Sequence, residues 1–148
     1  MAETLTLSKI LYVRENEKKI AQKDFHQSMN DFEKVATDFY TLLKKKENAE
    51  ASYEQFLQSS VPINQLKQLT SYIEILNNKI VELQEKVNSA RHVMEMKQSK
   101  LSEAHIEVKK FEKLIENRIN WEKDHQSRME KAFMDEISIN QFSSHETR

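Results

Sequence analysis

The chain has 148 residues with no glycine, one proline and no cysteine; charged residues make up 32% of it and the hydrophobic class 38%. Helix interiors disfavour glycine by about 1 kcal/mol and proline by about 3 relative to alanine, so the composition points to an all-α protein whose apolar surface lines a narrow helix–helix seam and does not fill a thick core. The formal net charge of −1 provides no field drawing the chain to nucleic acid or an anionic membrane, and the absence of cysteine excludes disulfides, thiolate chemistry and cysteine zinc sites, in keeping with a reducing cytoplasm.

The N-terminal stretch MAETLTLSKILYVRENEKK has no basic region ahead of a long apolar run. No segment approaches the roughly 20 apolar residues of a membrane span, so the reading is a soluble protein not secreted by the usual signal-peptide route.

A first helix is predicted over about residues 4–58. Its apolar residues include Phe25, Met29, Phe32, Ala36, Phe39 and Leu43, in steps that alternate four and three. The frame then passes through Lys46 and Glu50 to Tyr53 and Leu57, which is the 3.5-residue repeat of a coiled-coil seam.

The stretch SSVPIN breaks the pattern, and a turn is predicted over about 59–63. Pro62 suits a first helical turn, where its missing N–H would have had no intrahelical partner, and Ser59 or Ser60 can cap the remaining donors.

A second helix is predicted over about 64–137, with a frayed tail over 138–148. Its frame runs through Leu66, Leu69, Ile73, Leu76, Ile80, Leu83, Val87, Ala90 and Met94, is interrupted at Lys97, and resumes through Leu101, Ala104, Val108, Phe111 and Ile115. Alternation sustained over about seven heptads is the signature of a coiled-coil strand.

Two arms of similar register on either side of one break predict a single domain over 1–148: two long helices forming an antiparallel coiled-coil hairpin, each arm about 75 to 80 Å at 1.5 Å per residue. The competing structure is a nearly continuous helix kinked at Pro62 and paired with a second chain. A fold point near residues 60 and 61 sets the chain start beside about residue 118 and leaves the rest as a C-terminal helical extension. There Met129, Phe133 and Ile137, four apart, form a stripe without an intramolecular partner, which suggests an external one.

No catalytic site is legible. His26, His92, His105, His125 and His145 are too scattered to form a helical metal pair, phosphate-cradling loops need glycine, and carboxylates on a solvated coiled coil lack the pocket that separates their pKa values. No metal, no cofactor and no enzyme activity are expected. Lys44, Lys45 and Lys46 read as a solvated face because Glu47 and Glu50 follow, and Trp121 reads as a cover for the open end of the seam. Tyr72 and Ile75 fall off the seam, three apart and adjacent on the outer surface, as a candidate binding spot.

Three stretches resemble the FliJ family of coiled-coil proteins of the bacterial flagellar type III export apparatus: LKQLTSYIEILNNKIVELQEKV at 66–87, EVKKFEKLIENR at 107–118 and AFMDEISINQF at 132–142. The resemblance spans nearly the whole chain, and EVKKFEKL looks most like members from Bacillus-like bacteria. It implies a hairpin similar to the central stalk of rotary ATPases, which binds the flagellar export ATPase and promotes its hexamer, binds the export gate membrane protein, and escorts flagellar export chaperones. It further implies a cytoplasmic protein, peripheral at the inner face of the cell membrane at the flagellar base, and the hairpin reading predicts a monomer when free.

By position, the family's gate-binding surface falls on Tyr72 and Leu76, next to Ile75, although the seam frame places Leu76 inward. The stalk analogy places the ATPase contact on Phe133, Met134, Asp135, Glu136 and Ile137. Two other functions compete: a generic structural or tethering coiled coil acting as a dimer, and a holdase-type chaperone gripping many unfolded clients.

Overall fold

A computed structural model describes residues 2–146 as two α-helices, α1 over Ala2–Gln58 and α2 over Ile63–Glu146, packed as an antiparallel coiled-coil hairpin. The turn between them uses no positive-φ residue, as a chain without glycine requires. Instead, the Ser59 hydroxyl donates to the Gln55 carbonyl at 3.0 Å and the Val61 amide to the Ser59 carbonyl at 2.9 Å. Ser59 thus closes the end of α1 and does not cap α2. Pro62 lies just before α2, its carbonyl accepting from the Gln65 amide at 3.0 Å, where a residue lacking an N–H leaves no donor stranded.

Contacts group the chain into two units: Lys19–Ser102, which includes the turn, and the start of α1 through Lys18 together with α2 from Glu103 onward. In the second of these, the Arg118 guanidinium is 2.7 Å from Glu3 and Arg14 is 4.0 Å from Glu107. Eleven residues forward on α1 match eleven back on α2, the signature of an antiparallel register. The pairing of the chain start with residue 118 is the one expected from the fold point.

In the Lys19–Ser102 unit the covered positions of α2 are Leu66, Leu69, Ile73, Leu76, Ile80, Leu83, Val87, Ala90, Met94, Lys97 and Leu101. This is the sequence-derived frame without change, and it includes the lysine that interrupts it. The frame of α1 differs. Phe25, Phe32, Phe39, Lys46 and Tyr53 are seam positions as expected, but the alternate ones are Ser28, Val35, Leu42, Ala49 and Phe56, each one residue before Met29, Ala36, Leu43, Glu50 and Leu57. Leu43 and Leu57 are exposed. Two neighbouring lines of α1 are both apolar; Met29 and Ala36 stay half-buried beside the seam, and the deeper burial of Ser28 over Met29 follows packing against α2, not hydrophobicity. Buried Ser28 satisfies its hydroxyl within its own helix by donating to the Phe25 carbonyl at 2.7 Å.

The seam is narrow: among the described residues the buried hydrophobic ones are Ala49, Leu76, Val87 and Val108. Long basic side chains lay their stems along it, as with Lys46, whose ammonium is 3.8 Å from Glu50, and Arg14, whose guanidinium stands 5.8 Å from the Phe111 ring centre and donates to Glu17 at 3.0 Å. Beyond the expected end at residue 137, α2 stays helical through Glu146, because SINQFSSHE contains no helix breaker. Of the expected frayed tail, Thr147 and Arg148 lie outside the described residues.

Candidate functional site

Position along the heptad decides which side chains of α2 are available to a partner. Tyr72 precedes the seam residue Ile73 and Ile75 precedes Leu76, so one turn of helix sets Tyr72 and Ile75 side by side outside the seam, 44% and 52% exposed. Leu76 is 3% exposed and belongs to the core. The three residues expected to form one surface therefore divide: an outward Tyr–Ile pair, and a leucine beneath it that can act on that surface only through the position of α2.

The second candidate region lies where α1 begins and α2 continues without it. Arg118, ion-paired to Glu3 in the first turn of α1, lies over the Trp121 ring at 4.9 Å, and the His125 imidazole stacks on that indole at 5.1 Å with an interplanar angle of 4°. The acidic group suits the electropositive helix start, and the cation suits the indole face. Trp121 thus forms a column with Arg118 and His125 on its own helix while remaining half exposed, and the half-buried position at the seam end is Glu122, not Trp121.

Past this column the side chains of 126–145 are exposed. Phe133, Met134, Asp135, Glu136 and Ile137 all fall on this segment of α2, as do Ile139 and Phe142, which lie in the tail expected to fray. Their signal was the lack of any breaker after residue 137. Met129, Phe133 and Ile137 lie along one face of a continuous helix with no α1 residue against it, a surface suited to a protein partner and not to a small substrate.

The hollows near the chain start are shallow; one is lined by Ala2, Thr4, Leu5, Ser8 and Glu122. Among the described residues no group of three side chains is placed to hold a metal, and no helix is long and apolar enough to cross a membrane.

The model of the Flagellar FliJ protein family matches residues 3–147, which takes in both candidate regions. The Flagellar FliJ protein of Bacillus subtilis (strain 168) is 35% identical over 142 residues, covering 96% of this chain and 97% of that protein. The chain belongs to the FliJ family. FliJ membership carries with it a general role in flagellar protein export. The crystal structure of the type III secretion protein YscO from Vibrio parahaemolyticus has a similar fold, with a TM-score of 0.63 at 16% identity, covering 91% of this chain and 94% of that one. The FliJ fold in this chain is thus the two-helix form shared with that protein, and its helical extension after residue 125 is part of the match to the family.

Proposed function

We propose that this FliJ-family chain is a non-enzymatic connecting subunit of the flagellar export apparatus, using separate parts of α2 for separate partners. The extension carrying Phe133, Met134, Asp135, Glu136 and Ile137 binds the export ATPase as a stalk-like element and promotes its hexamer. The Tyr72–Ile75 surface, supported from below by Leu76, binds the export gate membrane protein. Export chaperones are escorted by the same subunit, which works in the cytoplasm as a peripheral component at the inner face of the membrane. The observation that carries this reading is the pairing of full-length family membership with two exposed apolar surfaces on one helix.

Binding to the two purified partners tests it. Replacing Tyr72 and Ile75 together by alanine is expected to weaken gate binding about tenfold and leave ATPase binding intact, whereas Phe133→Ala with Ile137→Ala should do the reverse. Equal loss of both partners by either pair, at unchanged helicity, would refute separate surfaces.

A further inference from the structure

The Lys19–Ser102 unit has two flanks of opposite character. Along one, Asp24, Asp31 and Asp38 of α1 run beside Lys79, Lys86 and Lys100 of α2, with Tyr72 and Val93 on the same line, a mostly charged border of the kind that flanks a water-facing coiled coil. Along the other, the positions next to the seam are Met29, Ala36 and Leu43 on α1 and Asn77 and Gln84 on α2, with Glu50 and Arg91 toward the ends. Arg91 stands 5.7 Å over the Phe32 ring, which fixes these two lines on the same side of the seam.

A helix that is apolar at both seam positions and at the one following has the pattern of a bundle helix with two neighbours, and α1 has one. Along that line Leu43 is exposed while Met29 and Ala36 are half-buried; its outer neighbours Tyr40 and Val81 are 60% and 59% exposed, and a shallow hollow on α1 lies between Phe32, Ala36 and Tyr40. Ala36 leaves room there for an incoming side chain. The outer rims are acidic on balance, with Glu33 and Glu47 on α1 and Glu74 and Glu95 on α2 outnumbering Arg91, Lys67 and Lys44, which lies 3.9 Å from Glu47.

We propose that this neutral flank is a docking groove for one amphipathic helix of a partner protein, with lysine or arginine bordering its apolar stripe. Apolar side chains of that helix enter beside Ala36 between Tyr40 and Leu43, neutral amides of Asn77 and Gln84 line the groove, and the four glutamates meet the basic edges. A second copy of this chain is the poorer occupant, because it brings the same glutamate-rich rims against these. The groove lies on the flank opposite to Tyr72, so it does not depend on the gate reading.

The probe is a labelled, designed helical peptide of about 21 residues, three heptads, with leucine on its stripe and lysine beside it, titrated into the full chain by fluorescence anisotropy, with a twin carrying glutamate in place of lysine. The lysine peptide is expected to bind, and the glutamate twin about tenfold more weakly. Leu43→Lys or Val81→Lys should weaken the lysine peptide about tenfold with helicity retained, and the milder Tyr40→Ala with Leu43→Ala should weaken it too, while Lys79→Ala should not. Equal binding of the twins, no binding, or indifference to all the groove variants would overturn the proposal. So would self-association of the chain that Leu43→Lys abolishes, which would make a second copy the occupant.

Discussion

Leu76 and Tyr72 are one helical turn apart and differ in what they can do. Truncating buried Leu76 to alanine leaves a hole that a two-helix seam closes only in part, so urea denaturation should show a loss of about 2 to 4 kcal/mol. Tyr72→Ala, outside the seam, should stay within about 0.5 kcal/mol of the parent. Reduced gate binding by a Leu76 variant is therefore to be read against its helicity, whereas reduced binding by a Tyr72 variant reports the contact itself. Lys97 offers the opposite case: it occupies a seam position that carries a charge, and Lys97→Leu should raise the thermal midpoint by adding apolar burial of about 1 to 2 kcal/mol. A fall in the midpoint would show that the lysine stem already fills the site.

At the scale of elements, the start of α1 is held by few groups. The Arg118–Glu3 pair is exposed enough to contribute only about 0 to 1 kcal/mol, so Arg118→Ala should leave global stability nearly unchanged. Hydrogen exchange should nonetheless accelerate in the first turns of α1, with the turn around Ser59 unaffected, because local opening at a helix end is governed by the contacts found there. The extension of α2 behaves differently again. With no α1 residue beside Phe133 and Ile137, their replacement by alanine should not move the unfolding transition, and any effect should appear in ATPase binding alone.

For the molecule as a whole, the seam residues are used up between α1 and α2 of one chain, and a single chain satisfies its own heptads. Sedimentation of the purified protein should accordingly give a monomer, which in the presence of the export ATPase shifts that enzyme toward a hexamer. A stable dimer indifferent to the ATPase would return the protein to the class of ordinary intermolecular coiled coils. Because the two surfaces proposed for the gate and the ATPase share no residue, alanine substitutions at Tyr72 and Phe133 in one chain should lose both contacts additively.

Residues alone determined that this chain is helical, where it breaks and which line of the second helix is inside. With no glycine and one proline there is a single place to turn, and about seven heptads, mostly of leucine, isoleucine and valine and broken only at Lys97, admit one frame. The FliJ resemblance was legible for a related reason, since MDEISINQF and QLTSYIEIL contain choices that heptads do not dictate. Tertiary packing decided the rest. Met29, Ala36 and Leu43 are at least as apolar as Ser28, Val35 and Leu42, and only the register against α2 buries Ser28, leaves Met29 and Ala36 half-buried at its edge and exposes Leu43. The same register buries Leu76 and exposes Tyr72, because a hydrophobic pattern states which residues avoid water, whereas the position of the neighbouring helix decides which of them succeed.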